Sequence, residues 1–447
     1  MHGDFSRVTF DPAKRFSAVL SLQGRVHVEA DHNEHAAILQ HYLRTLVTDL
    51  LGEVSFPDAA PGFEITLVVK SGTLEDLEIG FGRCYVDGLL VENRPPVARS
   101  FYHQPDAYYD PETDPFPSGG AFFVYLQVCE RLVTWIEEPA IRDAALGAGG
   151  PDASARAKVA WQVRCEEPTL EGTPPKTANA AKNLWNKSFK GELTGGSTGT
   201  LRARAMPTDD DELCALAPQA GYRGPENQLY RIEIHSGGEL GLDEPGAPPT
   251  FKWSRDNGSV VFPIDTLEDN LVTVSTLGRD DRSQLDVGDW VEVMDDARVG
   301  EKPADLHRVE DIDPAERRVT LDVAPGDDTG SDPALHPFLR RWDQQERPDL
   351  TFGADHAITA TTGTPLEDGG DEGWIALEDG VEIRFERGAF RSGDYWLVPA
   401  RVETGDVEWP KEQDAPVDLP PHGVHYHYAP LAFVSGIDNP TVLDLRS

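Results

Sequence analysis

Residues 122–128 read Phe-Phe-Val-Tyr-Leu-Gln-Val, a run of aromatic and β-branched residues that favours a β-strand. Similar strand-like runs occur on both sides of it, at residues 63–69, 77–81 and 159–163. The 41 glycines and 35 prolines of the chain separate such runs by turns rather than by long helical stretches. Together these runs predict a mostly β N-terminal domain over residues 1–166.

One segment before these strands predicts an α-helix. Asp31 is followed three positions later by Glu34, the spacing of a capping box at a helix start. Apolar residues then recur at three- and four-residue steps until Gly52; they are Ile38, Tyr42, Leu43, Leu46 and Leu50. This period is typical of an amphipathic helix. We therefore expect a helix over roughly residues 32–51 whose apolar face is buried.

The remainder of the chain predicts one connection and two further β-domains. Residues 167–224 are rich in Pro, Thr, Gly, Asn and Asp, which favours an extended connection. The strand-like run 285–294 precedes an acidic turn and two shorter runs, which predicts a small SH3-like barrel within a β-domain over 225–345. The Asn-Gly pair at 257–258 predicts a hairpin, and residues 346–447 predict a C-terminal β-domain.

These segments define the expected fold class. We predict a mainly β, multidomain protein with one N-terminal α-helix and with small antiparallel β-sandwich or SH3-like barrel modules. No repeat of 20–50 residues is visible in the sequence, which argues against a solenoid or a propeller.

The net charge excludes several classes of partner. The 447 residues include 78 Asp and Glu against 40 Lys and Arg, which gives −38 at pH 7. A chain this acidic repels phosphate backbones and anionic lipid, so we expect neither nucleic acid binding nor membrane insertion. Lysine is scarce among the basic residues, which suggests a halophilic protein; an ordinary acidic surface that maintains solubility is the alternative.

The N-terminal residues also bear on localisation. Met1 to Phe5 carry no basic region followed by an apolar stretch, and no window approaches the length of a membrane span. We expect a chain without a signal peptide that assembles in the cytoplasm.

Histidines near residue 425 are the best metal-ligand candidates. On a strand, His425 and His427 would point to the same side, with His422 close by. Such imidazoles can hold a transition metal, but packing or interface roles explain them better, so they are weak candidates and no cofactor is expected.

Four aromatic residues are candidates for an interface or a ligand platform. They are Trp374, Trp396, Trp409 and Tyr426. An exposed set of such rings could stack on a sugar, whereas a core position is the alternative.

The sequence contains no nucleophile elbow, phosphate-binding loop or dinucleotide-binding motif, so we expect no enzyme activity.

Several segments resemble one family. The opening Gly3-Asp4-Phe5-Ser6-Arg7-Val8-Thr9-Phe10-Asp11-Pro12 and the stretch from Gln23-Gly24-Arg25-Val26 to Asn33-Glu34 are similar to the start of an uncharacterised family written GDFSR-TFDP and QGRV-LDADWNE. Further matching segments are 82–88, 134–139, 251–258, 393–401 and 420–431. The family is encoded in clusters for phage-tail-like contractile injection systems. His32 departs from the family pattern, which usually has Trp there.

The resemblance implies a structural role in a particle rather than a catalytic one. It implies a structural subunit associated with the baseplate or a tail fibre, with other subunits of the particle as partners and with homo-oligomeric assembly. The particle would be assembled in the cytoplasm and could be released outside the cell. The alternative is a fibre-like module that recognises a glycan or receptor on the target cell surface.

Overall fold

The computed structural model describes residues 1–447 except 60, 96–98, 119, 144, 146, 148–152, 171, 208–220, 242–246, 279, 281, 299–303, 327, 362–372, 437–438 and 447. The protein is mainly β, with 38% of residues in strands and 13% in helices, as the sequence predicts. The sheets are small and antiparallel. In the described part of the chain, no helix has both the length and the apolar character needed to cross a membrane.

The described helices are one long helix and several short ones. They are α1 (Glu29–Leu51), α2 (Ala178–Leu184), a π-helical turn (Trp185–Phe189), α3 (Lys190–Thr194), and 3₁₀ turns at Pro12–Lys14, Pro139–Ile141 and Pro333–Leu335. The segment predicted as an extended connection, 167–224, is thus partly helical. Thr177 starts α2 by accepting a hydrogen bond from the Ala180 backbone N–H.

The predicted N-terminal helix is present, but two details are different. Helix α1 begins at Glu29, its N-cap is Val28, and the cap makes no side-chain hydrogen bond. Glu34 instead accepts a hydrogen bond from the Thr9 hydroxyl. The expected buried face is wrong except at Ile38, because the other four apolar residues of the stripe are exposed.

The described strands are numbered in chain order. They are β1 (Val54–Ser55), β2 (Ile65–Lys70), β3 (Thr73–Ile79), β4 (Gly82–Val86), β5 (Leu89–Asn93), β6 (Arg99–Ser100), β7 (Ala121–Val133), β8 (Arg156–Glu166), β9 (Leu201–Ala205), β10 (Gln228–Ile234), β11 (Gly238–Leu240), β12 (Thr250–Ser254), β13 (Val261–Glu268), β14 (Leu271–Val274), β15 (Trp290–Met294), β16 (Leu306–Asp313), β17 (Arg318–Leu321), β18 (Phe338–Trp342), β19 (Ile358–Thr359), β20 (Ile375–Ala376), β21 (Val381–Phe385), β22 (Gly388–Phe390), β23 (Tyr395–Arg401), β24 (Asp406–Val407), β25 (Lys411–Glu412), β26 (Ala415–Pro416), β27 (His427–Ser435) and β28 (Thr441–Asp444).

The first core forms around β7, and we call the sheets that enclose this core the first unit. This strand lies in a sheet of order β28-β27-β7-β8, flanked by the smaller sheets β1-β4-β5 and β2-β3-β6. One face of β7, including Phe122 and Val124, packs with buried residues of these small sheets. The opposite face carries Phe123, which contacts Trp185 and Phe189 of the π-helical turn. Because successive side chains of a strand point to opposite faces, the run is apolar throughout and both faces are covered.

The second core lies between one large sheet and two smaller ones, which we together call the second unit. A five-stranded sheet of order β19-β12-β10-β23-β24 shares it with the three-stranded sheet β20-β21-β9 and the pair β11-β22. Strand β10 directs Tyr230 and Ile232 into this core. The same strand carries Arg231 and Glu233, also buried, at the alternate positions. A polar set is therefore buried on the far side of this sheet.

The third core fills a closed antiparallel barrel of order β13-β14-β17-β16-β15-β18. The predicted run 285–294 supplies β15, so the small barrel occurs where the sequence places it. Both residues of the Asn257-Gly258 pair have positive φ, 52° and 63°, as a tight turn requires. The hairpin prediction is nevertheless wrong, because the turn joins β12 of the second unit to β13 of the barrel, and these strands belong to different sheets.

Sheets also join segments from different expected domains. Strand β27 pairs with β7, and β21 pairs with β9. The predicted boundaries near residues 166 and 345 therefore do not coincide with the edges of sheets, because pairing partners that are distant in sequence leave no local signal in composition.

Candidate assembly surface

The N-terminal residues lie in a socket made by the turn between β12 and β13. The Asn257 side-chain amide donates hydrogen bonds to the backbone oxygens of Met1, at 3.2 Å, and Gly3, at 2.9 Å. The Gly3 N–H donates to the Asn257 carbonyl at 3.3 Å. Gly258 leaves room for the His2 ring, since a Cβ at this position would lie 2.6 Å from it. We call these contacts of residues 1–3 the N-terminal anchor.

His2 joins the anchor to the buried charges of β10. Its Nε2 lies 2.9 Å from Glu233 Oε2, and the Arg231 guanidinium contacts the same oxygen at 2.6 Å. Arg340 approaches His2 Nδ1 at 3.3 Å as a donor, which assigns the imidazole proton to Nε2. Burial, together with Arg231 and Arg340, lowers the pKa of His2 well below its ordinary value. The ring therefore binds as a neutral donor to Glu233.

Lys252 extends this cluster into the barrel. Its ammonium pairs with Glu292 of β15 and lies 3.4 Å from Glu233 Oε1. Glu292 also accepts a hydrogen bond from the indole of Trp342 at 2.8 Å, and Lys252 lies 4.4 Å from the centre of that ring. We call His2, Arg231, Glu233, Lys252 and Glu292 the polar cluster. It links the second unit, the barrel and the N-terminal anchor.

The segments that carry the family resemblance meet at this place. Arg401 donates to the Ser6 carbonyl at 3.1 Å and pairs with Glu408 at 3.0 Å. The ring of Tyr395 lies under the Arg231 guanidinium at 3.6 Å. Segments around residues 3–7, 251–258 and 393–401 therefore meet at one site. The contacts of Asn257 with Gly3 and of Arg401 with Ser6 determine the position from which the N-terminal segment continues toward α1.

Helix α1 rests on the first unit through a narrow contact. Ile38 is buried, and Arg44 pairs with Glu130 of β7 at 2.7 Å. Gly88 has φ +79° and lies against the backbone of Arg44, where a side chain would collide with the helix. Among the described residues, it is this side of α1 that packs against the protein.

The other side of α1 carries an apolar stripe that no described residue covers. Its residues Leu39, Leu43, Leu46 and Leu50 are between 43% and 73% exposed. Their 4-3-4 spacing is that of the apolar seam of helices that pack side by side. More than half of the large apolar side chains that are exposed in the described residues fall within residues 8–51. We call these four leucines the leucine seam. Contiguous exposed apolar surface of this kind marks an interaction site.

The three histidines predicted as weak metal ligands have different surroundings. His427 Nδ1 bonds to Asp87 at 2.8 Å, and His422 stacks at a tilt on Tyr395, with 5.7 Å between the ring centres. His425 is exposed. Within the described ranges, no three His, Cys, Asp or Glu side chains gather as a metal site requires.

The predicted aromatic candidates do not form one exposed platform. Trp396 and Trp409 are buried in the second core, and their indole N–H groups donate to the carbonyls of Leu419 and Val417. Trp374 is half-buried with Arg204 stacked on it at 3.9 Å. Tyr426 is half-buried, with its ring 6.4 Å from that of Tyr428. The leucine seam and the N-terminal anchor, which sequence reasoning missed as sites, are the stronger features.

Comparison with known proteins gives one match. A family model described as "Family of unknown function (DUF6519)" matches residues 1–190 and 194–439. No curated protein and no solved structure matches the chain. The matched ranges include the N-terminal anchor, the polar cluster and helix α1.

Proposed function

The chain belongs to a family of unknown function, DUF6519, and we propose that it is a structural subunit of a phage-tail-like contractile injection system. In this proposal the subunit is associated with the baseplate or a tail fibre and acts by protein–protein assembly. The exposed leucine seam is the observation that carries it. The resemblance of the opening motifs to proteins of such gene clusters supplies the kind of particle.

The energetics of the seam favour a covered state. Its four leucines together expose the equivalent of about two complete leucine side chains, and fully burying one is worth about 1.5–3 kcal/mol. Covering the seam would thus contribute about 4 kcal/mol per chain before the cost of association. An assembly subunit gains this energy on docking, whereas an isolated monomer does not.

The alternative of a glycan-binding fibre module has less support. It requires exposed rings, and Trp396 and Trp409 lie in the second core. Trp374 and Tyr426 are half-buried and belong to different surroundings. We therefore place assembly first.

The test is co-purification with the particle. Cells that lack the gene are complemented with the wild-type protein, with the L43S/L46S double variant, or with L90S as a matched control. Leu90 is exposed to the same extent as Leu46, 43%, but lies on β5. We expect the wild-type protein and L90S to purify with sheath and tube proteins, and the seam variant to be lost from the particle.

Two results would count against the proposal. If the wild-type protein never purifies with sheath or tube proteins, the assignment to an injection particle fails. If L43S/L46S remains bound as firmly as L90S, the seam is not the assembly surface. Circular dichroism of each variant establishes that the helix is retained, which exposed positions should allow.

A further inference from the structure

The segment between the N-terminal anchor and α1 contacts the protein near its start, where Thr9 bonds to Glu34 and Phe10 lies against His41, but not over residues 16–21. At the base, the Ser6 N–H donates to Glu29 Oε1 at 3.0 Å, which joins the start of the segment to the first turn of α1. Residues 15–28 form neither helix nor strand and are exposed almost throughout. From Phe16 to Ser21, no backbone group makes a hydrogen bond with a described residue. We call residues 7–28 the arm.

The arm has the sequence pattern of a strand. Phe16, Ala18, Leu20 and Leu22 alternate with Ser17, Val19 and Ser21. Alternation of this kind places Phe16, Leu20 and Leu22 on one side of an extended chain. Leu20 is 81% exposed, and the other two are more than half exposed. An extended segment with free backbone groups and one apolar side is suited to adding a strand to an open sheet edge.

The charge of the arm differs in sign from that of the whole protein. Arg7, Lys14, Arg15 and Arg25 stand against the single acid Asp11, while the chain carries −38. Basic residues thus flank the apolar run on both sides. The arm therefore complements an acidic protein surface, and the body of this same chain is one.

The β2–β3 hairpin offers an edge of matching character. In the described part of the chain, β2 pairs only with β3, so its second edge is open. Strand β3 of the hairpin carries Glu75, Asp76 and Glu78 against the single basic residue Lys70 of β2, and Glu64 directly precedes β2. Val69 on β2 is exposed and could meet the apolar side of an added strand.

From these observations we infer that residues 16–22 of one copy pair as a strand with the open β2 edge of a second copy of this chain, next to the acidic residues of β3. The inference rests on the proposed function, since it names the partner used in assembly. A neighbouring copy supplies an acidic surface for the basic residues of the arm and an unpaired strand edge with which the free backbone groups of the arm can bond.

Hydrogen exchange on the full-length protein tests this pairing. Amide exchange of residues 16–22 is measured by mass spectrometry across a dilution series of wild-type protein. We expect exchange to slow by about a hundredfold or more in the associated form and to become fast on dilution. Leu20→Pro removes one N–H donor and should abolish the protection, whereas Leu20→Ala keeps the donor and should retain part of it.

The outcomes of this experiment test the strand pairing independently of the proposed function. Protection that follows self-association and is lost in L20P supports strand exchange between copies. Self-association with fast exchange in the arm overturns the inference and leaves assembly through the seam intact. Protection that arises only with other particle proteins present overturns the second copy as the partner. A chain that stays monomeric with an unprotected arm also overturns it, while co-purification decides the proposed function independently.

Discussion

Replacing Lys252 by Met tests whether the polar cluster holds the second unit and the barrel together. The ammonium is buried, with 2% of the residue exposed, and pairs with Glu292 and Glu233. Methionine has a similar length and fills the space beside Trp342, but it has no charge. The substitution therefore removes the pairing and leaves the packing largely in place.

The contacts left behind set the expected magnitude. Glu233 keeps Arg231 at 2.6 Å and His2 at 2.9 Å, so it stays paired. Glu292 keeps the hydrogen bond from the Trp342 indole at 2.8 Å, while His235 lies 3.8 Å away. Removing one partner of a buried ion pair typically costs about 3–5 kcal/mol, and we expect the lower end because only Glu292 loses its close cation. For a unit of this size, that corresponds to a melting temperature lower by about 6–12 °C.

Calorimetry of the full chain measures this shift. Lys411 is the matched control, because it pairs with Asp406 at 2.5 Å on the surface, where such pairs are worth less than about 1 kcal/mol. Combining K252M with E292Q removes both charges and should recover more than half of the loss. If K252M melts within about 1 °C of K411M, the cluster does not stabilise the contact between the units and the reasoning fails.

Three further predictions concern the anchor and α1. Acidification from pH 7 to 5 should destabilise the unit that holds the cluster, because burial lowers the pKa of His235 to about 4 and the pKa of His2 well below its ordinary value. As the pH falls, the unfolded chain binds protons at these histidines before the folded protein does, so their stabilising contribution is complete above the pKa of the unfolded histidines and decreases below it. For His235, the free energy of unfolding should fall by about 2 kcal/mol at pH 5. H235Q should therefore make the melting temperature depend less on pH. Gly88→Ala should displace α1, since the new side chain meets the Arg44 backbone, and hydrogen exchange along the helix should accelerate; unchanged exchange would contradict this close contact. Asn257→Ala removes the amide that holds residues 1–3 and should speed limited proteolysis of the arm, whereas equal cleavage rates would show that the anchor holds without it.

Helix α1 shows what periodicity can and cannot predict. The three- and four-residue steps from Ile38 to Leu50 correctly predict a helix, because they depend only on local geometry. They do not indicate what covers the apolar side. In this protein Ile38 faces the first unit and the leucine seam faces away from it. A stripe that packs against another molecule has the same sequence pattern as one that packs in a core.

The candidate site was less accessible to sequence reasoning. The anchor joins His2 to Glu233 and Arg340, which are distant in sequence, so no spacing rule relates them. The shared motifs around residues 3–7, 251–258 and 393–401 were a usable signal, because segments that carry one resemblance can meet in space. The helix α2 had a local signal that was overlooked, namely Thr177 ahead of the Ala-rich run 178–181.

The pairing of β27 with β7 constrains how each copy is made. During synthesis the N-terminal segments leave the ribosome first. Until β27 has been synthesised, the edge of β7 that pairs with β27 is unpaired, and Phe122 and Val124 are incompletely covered. That edge closes only once residues 427–435 have been translated. A prematurely terminated product would keep it open to chaperones and proteases. Translation past residue 435 is thus a condition for completing the unit on which α1 rests.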